Sequence, residues 1–293
     1  MDLTIHLDRS EPQPPGHLPW ELSEPPWLVW RARTVDGTWL RLRYERGDEW
    51  AEFVVDPTGK TVWASWADDV LFEEASELLF GPVFSCILGQ RGVTCLHAGV
   101  VAVDDRVVAV IGEKGAGKST TCLALVQRGG SFVADDVAAL TERDGRPAVA
   151  VGAPMLRMRP DSAETLCGSF EALEPMWANE EFRPRKRYVD LRASSLGSAE
   201  GAVALDALYL LAPRHSADRS PSIRPLPAVE ALPRLMTNRH MVHLLEQSGH
   251  RRDFEVLAAL ATSVPAREVL RPEGLHAIDS TVDVLLADVG ALA

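Results

Sequence analysis

One stretch limits the possible folds more than any other: Gly112-Glu113-Lys114-Gly115-Ala116-Gly117-Lys118-Ser119, which satisfies G-x-x-x-x-G-K-[ST]. An apolar run, Val107 to Ile111, enters it, and a helical pattern from about Lys118 to Gln127 leaves it, stopped by Gly129-Gly130. In a strand–loop–helix of this kind successive backbone N–H groups turn inward and the helix dipole points at the same spot, so the loop suits an anion. Lys118 is spaced to reach the β- and γ-phosphates of a nucleotide, and the Ser119 hydroxyl to ligate Mg²⁺, with Thr120 beside them at the start of the helix. The eight loop residues and Thr120 are therefore the candidate ATP-binding set. A chain carrying this unit folds as an α/β protein.

The elements around the loop follow from period and turns. His97 to Val103, the turn Asp104-Asp105 and Arg106 to Ile111 read as a hairpin whose return strand feeds the loop. Ser131 to Ala134 is a short strand ending at Asp135-Asp136, with Val137 to Leu140 extending beyond it. Further strands are expected at Ala148 to Val151, Arg187 to Leu191 and Leu205 to Leu211. The aperiodic stretch from Glu171 to Arg185 reads as a loop. Past Pro227 the pattern is helical over Val229 to Leu235 (with a break at Pro233), Arg239 to Gln247, Asp253 to Thr262 and Ser280 to Asp288. The first 68 residues are rich in Trp and in apolar alternation broken by Asp36-Gly37, Gly47-Asp48 and Pro57-Thr58-Gly59. They read as an antiparallel meander, a structural or docking module, preceded by an irregular Pro-rich arm at Glu11 to Pro15. From about Ala67 to Leu88 the period becomes helical, with an interruption at Gly81-Pro82. The expected division is thus 1–68 and 69–293.

Charge excludes some partners. The formal charge of −12 opposes nucleic acid and anionic membrane surfaces, which require Lys and Arg in excess. The N-terminus has no basic start followed by an apolar run, no stretch of 18 apolar residues occurs, and Cys86, Cys95, Cys122 and Cys167 form no C-x-x-C pair. A cytoplasmic protein with buried thiols is expected.

Two features near the loop narrow the chemistry. Strand order in a nucleotide fold brings Asp135 and Asp136 beside the γ-phosphate, where one carboxylate can hold magnesium and its neighbour can accept the proton of an incoming hydroxyl. His97, on the hairpin partner of the strand entering the loop, can face the same place. The ordered set Leu96-His97-Ala98-Gly99-Val100, Gly112 to Ser119 and Val133-Ala134-Asp135-Asp136-Val137 resembles the HPr kinase/phosphorylase family, and most of all the HPr-kinase-like kinases found beside ribosomal-peptide genes, including lasso-peptide kinases. The spacing agrees, with His97 15 positions before Gly112 and Asp135 23 after it.

The resemblance covers about Val93 to Val137. It implies a P-loop HPr-kinase-like core of mixed sheet flanked by helices, with the N-terminal β-rich module and a C-terminal helical portion. It implies transfer of the ATP γ-phosphoryl group to a Ser or Thr hydroxyl of a peptide or protein. In that scheme Asp135 is the base, His97 lies close to Asp135, Lys118 is catalytic, and Ser119 and Asp136 serve the metal; a homo-oligomer follows by analogy. One departure is visible: where the family carries a glutamate in a Glu-x-Arg-Gly segment, this chain has Met155-Leu156-Arg157-Met158. That argues against a phosphorylase reaction and against HPr itself as acceptor. A kinase of a small hydroxylated metabolite such as free serine shares every motif, and a nucleotide-sensing ATPase shares the loop.

Weaker signals remain. Arg183, Arg185, Lys186 and Arg187 form either a solvated loop or a flap in which Lys186 or Arg187 stabilises transferred charge, and Arg157 is a similar candidate. His240, His243 and His250 lack H-E-x-x-H spacing and read as surface or core residues.

Overall fold

The computed structural model describes residues 2–7, 22–24, 26–176, 186–196, 201–216, 220–241 and 247–292. The Pro-rich arm, Arg183, Arg185 and His243 lie outside them. The chain divides into two compact units, Met1–Val93 with Met241–Gly249, and Thr94–His240 with His250–Ala293.

The first unit is a six-stranded sheet in the order β1-β6-β5-β4-β3-β2, formed by β1 (Thr4–His6), β2 (Leu22–Glu24), β3 (Trp27–Thr34), β4 (Gly37–Arg46), β5 (Glu49–Val55) and β6 (Thr61–Trp66). Register places Val29, Leu42, Phe53 and Ala64 side by side on one face. That face buries Leu78, Leu79, Val83 and Ile87 from the helical stretch that follows. The stretch comprises α1 (Phe72–Leu78) and α2 (Phe84–Gln90), joined through a π-turn over Leu79–Val83 that contains Pro82. The change of period near 68 therefore marks strands giving way to helix, while the first compact unit continues to Val93 with helices that close the sheet's apolar face. Each large aliphatic side chain so buried contributes about 1.5–3 kcal/mol.

The second unit begins with β7 (Cys95–Leu96), β8 (Ala98–Val103), β9 (Arg106–Ile111), α3 (Lys118–Gln127) and β10 (Ser131–Ala134). It continues with β11 (Ala138–Arg143), β12 (Arg146–Ala150), β13 (Met155–Met158), α4 (Pro160–Cys167), β14 (Glu174–Pro175), β15 (Arg187–Asp190), β16 (Ala202–Ala204) and β17 (Ala207–Leu211). It ends with β18 (Ser222–Leu226), α5 (Ala228–Thr237), α6 (Gln247–Ser263), β19 (Ala266–Leu270) and α7 (Ile278–Gly290). The central sheet runs β10-β8-β9-β17-β19-β18, with β9, β17 and β19 parallel and β8 and β18 antiparallel to their neighbours. One face, with Val108, Val110, Tyr209 and Val269, packs on α3 and α7; the other, with Ala109, Ile111, Leu208 and Leu210, packs on Leu235, Leu257 and Leu260 of α5 and α6. The fold is a mixed sheet flanked by helices on both faces, as the loop's strand–helix context requires.

Three local expectations are revised. Helix α5 runs through Pro233, whose ring forfeits only the bond to the carbonyl of Val229 in the first turn. Arg239 pairs with Leu96 in an antiparallel bridge instead of starting a helix. The C-terminal portion, expected to be helical, also gives the sheet β18 and β19, because each is too short to show a strand period beside long helices.

On β19, Glu268 is held between Arg224 Nε at 2.5 Å and Arg234 Nη2 at 2.6 Å. Burial pushes the Glu268 carboxyl up, but the hydrogen bonds from the two arginines outweigh it and hold it below its ordinary 4.5. A carboxyl lowered in the folded state stabilises fully above its ordinary value and loses that contribution as pH falls below it. Glu268→Gln should cost roughly 1–3 kcal/mol at pH 7 and progressively less below pH 4.5, read from denaturant melts across that range.

Candidate functional site

The apolar strand β9 ends at Ile111, and the chain turns through the loop into α3 with Gly117 as its N-cap at φ 98°, a left-handed conformation that favours glycine. Lys118 is 6% exposed, folded back so that its Nζ donates to the carbonyls of Gly112 (2.7 Å) and Glu113 (3.1 Å). Burial lowers its pKa, and the charges of Asp135 and Asp136 oppose that shift. The ammonium therefore lies within the loop, ready to meet phosphate.

The two aspartates arrive by a device that periodicity does not reveal. The β10–β8 register shifts between Phe132 and Ala134, a bulge just before the aspartates. Asp136 then adopts φ 69°, a left-handed conformation uncommon outside glycine. As a result the neighbouring carboxylates face different partners. Ser119 Oγ lies 3.1 Å and 3.0 Å from the two carboxylate oxygens of Asp135. Asp136 Oδ1 lies 3.2 Å from His97 Nε2, and its Oδ2 accepts from Arg157 Nη1 at 2.9 Å.

Their proton affinities part accordingly. Burial and the adjacent Asp136 charge raise Asp135 to about 6, against lowering by the Ser119 hydrogen bond and by Arg157 and Lys186. Burial also pushes Asp136 up, but His97, His240 and Arg157 overwhelm it and hold Asp136 well below the usual carboxylate range. Of the two, Asp135 is the better proton acceptor near neutral pH.

The structure thus brings His97, Lys118, Ser119, Asp135 and Asp136 to one cavity of about 220 Å³, which Lys114, Gly115, Gly117 and Thr120 also line. Two pairings differ from expectation. His97 sits on Asp136 and not on Asp135, because the left-handed turn carries Asp136 back toward β7 and β8. Ser119 is bonded to Asp135, whereas both oxygens of Asp136, the expected metal ligand, are engaged by His97 and Arg157. The Ser119 hydroxyl is a hard oxygen donor of the kind that suits Mg²⁺, with the Asp135 carboxylate beside it. Among the described residues no group of three or more His, Cys, Asp or Glu could hold a metal. That sparse donor set fits an ion which keeps waters and binds chiefly through substrate phosphates.

Several residues enter without a local motif. His240, read from sequence as surface or core, is 8% exposed, with Nε2 4.0 Å from Asp136 Oδ1 and its ring edge-on to His97. It is placed there by the pairing of 94–97 with 238–240, where His97 N donates to Asn238 O and His240 N to Cys95 O. Arg159, Asp161, Ser162, Arg214 and Leu275 also line the cavity, and Ser162 Oγ lies 3.0 Å from Thr120 Oγ1. Of the basic run, Lys186 lines the cavity, while Arg187 turns away to the carbonyls of Glu171 and Leu173 and stacks over Phe170. His250 is exposed on α6.

One glycine decides how close these parts come. A Cβ on Gly99 would lie 2.4 Å from Cys122 Sγ and 3.2 Å from Asp135 Oδ1. Only a residue without a side chain lets α3 and Asp135 approach β8 together.

No protein-family model matches the chain, and no curated protein does. A solved structure described as that of the HPr(Ser) kinase/phosphatase from Coxiella burnetii is similar over 68% of this chain and 90% of its own, with 13% identity and a TM-score of 0.35. No helix among the described residues is long and apolar enough to cross a membrane.

Gly99→Ala should cost about 1–3 kcal/mol, because the new methyl meets a fully buried thiol on packed α3. Adding Cys122→Ala should recover most of that loss in a denaturant melt; strictly additive losses would show that the clash lies elsewhere.

Proposed function

We propose that this chain is an ATP-dependent kinase that transfers the γ-phosphoryl group to a Ser or Thr hydroxyl carried by a peptide or protein, one made ribosomally and then tailored. The observation that carries this reading is the division of labour between adjacent carboxylates: Asp135 raised to about 6 beside the loop hydroxyl, Asp136 locked by His97 and Arg157. A nucleotide-sensing loop needs phosphate and metal ligands only. A proton acceptor held beside the expected γ-phosphate suits a hydroxyl nucleophile. The choice of a Ser/Thr acceptor on a peptide rests on the resemblance of the three motifs to HPr-kinase-like kinases.

In this reading the loop N–H groups and Lys118 cradle the β- and γ-phosphates, and Ser119 supplies a metal ligand with Asp135 beside it. When bound, Mg²⁺ supplies charge neutralisation on the phosphate oxygens. The acceptor hydroxyl approaches in line with the bond between the γ-phosphorus and the β–γ bridging oxygen. Its oxygen bonds to phosphorus as that bond breaks, ADP leaves with the bridging electron pair, and Asp135 takes the hydroxyl proton. His97 and Arg157 fix Asp136, which holds the turn that aims Asp135, and Lys186 faces the transferred charge. Catalysis here is positioning together with electrostatic stabilisation.

Asp135→Asn should keep ATP–Mg²⁺ affinity within a few-fold while lowering transfer by roughly 10²–10⁴. Affinity by calorimetry and phosphate transfer by mass measurement, with peptides encoded beside the gene and with free serine as parallel acceptors, separate the outcomes. Equal loss of binding and transfer would move Asp135 onto the metal. Phosphate on free serine alone selects the metabolite kinase, and brisk hydrolysis with no acceptor modified selects the ATPase.

A further inference from the structure

Arg271 is a buried cation with no anion beside it. It follows the end of β19, is 7% exposed, and its Nε has no hydrogen-bond partner. No ion pair or hydrogen bond to its side chain occurs among the described residues. Arg214, just beyond the end of β17, approaches the same point. A Cβ built on Gly117 would lie 3.3 Å from Arg214 Nη2 and 3.6 Å from Arg271 Nη1. Burial and the neighbouring Arg214 push the Arg271 guanidinium down to about 10, which leaves it charged at neutral pH.

Two guanidinium groups that converge without a carboxylate repel one another, and one of them has given up its hydration. That cost is recovered when a multiply charged anion sits beside both. The point of convergence is Gly117, the N-cap of the ten-residue helix α3, where backbone N–H groups already face outward. Arg214 lines the cavity that holds Lys118, Ser119 and Asp135. Both arginines line a neighbouring cavity of about 520 Å³ bounded by Gly112 to Ala116. Guanidinium, planar and forked, matches phosphate oxygens two at a time.

We propose that Arg214 and Arg271 form an anion clamp that closes the phosphate loop from the carboxyl ends of β17 and β19, with Arg214 touching the triphosphate and Arg271 behind it as a positioning charge. They acquire this role only if the loop binds a nucleotide, as in the kinase reading above. Without the anion the pair is a strained, self-repelling feature of the sheet edge. With it, the positive charge of two strands is delivered to phosphates that the loop and Lys118 hold from the other side.

The test needs no acceptor. ATP and ADP affinities, with and without Mg²⁺, are measured by calorimetry on the full chain, and melting temperatures with and without nucleotide. Arg214→Gln and Arg271→Gln should each weaken ATP binding on the order of tenfold to a hundredfold. Arg271→Lys should restore part of the loss. Because the empty site carries unrelieved repulsion, Arg271→Gln should leave the nucleotide-free melting temperature unchanged or raise it. A lower nucleotide-free melting temperature with undiminished ATP affinity makes Arg271 structural and overturns the clamp. Unaltered affinity in both glutamine variants overturns it also. No ATP binding by the unaltered protein would instead sink the nucleotide reading itself.

Discussion

The first turn of α3 and the end of β10 are held together by Ser119 and Asp135, and the rest of the site takes its position from that contact. It exists because Gly99 lets the helix lie against β8 closely enough for Cys122 Sγ to occupy the space of a missing methyl. A register shift in β10 falls just before the two aspartates. A side chain at 99 would crowd both Cys122 and Asp135 and open a gap between hydroxyl and carboxylate. Catalytic constellations that work by positioning do not tolerate such a gap.

From that contact the electrostatics follow. Adjacent carboxylates in one cavity cannot both be ionised cheaply, and the chain resolves the conflict by giving them unequal company. Asp136 receives an arginine and two histidines, so it keeps its charge; Asp135 receives a hydroxyl and the repulsion of Asp136. The left-handed backbone at Asp136 is the structural cost of sending adjacent side chains to opposite partners, and it falls where strain serves function. Backbone bonds between 95–97 and 238–240 bring His97 and His240 to that carboxylate from β7 and from the end of α5.

The parts of this arrangement that were legible in the sequence are the contiguous ones. Gly112 to Ser119 is a local instruction, with its entering strand and leaving helix printed on either side. Asp135 and Asp136 were locatable for the same reason, as the end of a short apolar strand. Which of them meets His97 was not legible, because it turns on one backbone angle and one register shift that leave no trace in residue spacing. His240, Arg214 and Arg271 were illegible for a different reason. They stand at the ends of an α5-linked bridge, β17 and β19, elements brought to the loop only by the order of strands in the sheet. Even the basic run divides by geometry: extended chain sends neighbours to opposite faces, so Lys186 enters the cavity and Arg187 leaves it.

The parallel trio β9, β17 and β19 explains why cations gather where they do. Parallel strands align their carboxyl ends on one edge, and ligands in open α/β sheets bind along that edge. β9 ends in the glycine loop, β17 in Arg214 and β19 in Arg271, so three strand ends contribute to one locus. An acidic chain of net charge −12 nevertheless concentrates unneutralised arginine here. It answers Arg224 of β18 and Arg234 of α5, which lines the same cavity of about 520 Å³, with Glu268. Arg271 receives no such carboxylate among the described residues, and that leaves room for negative charge that the ligand must bring.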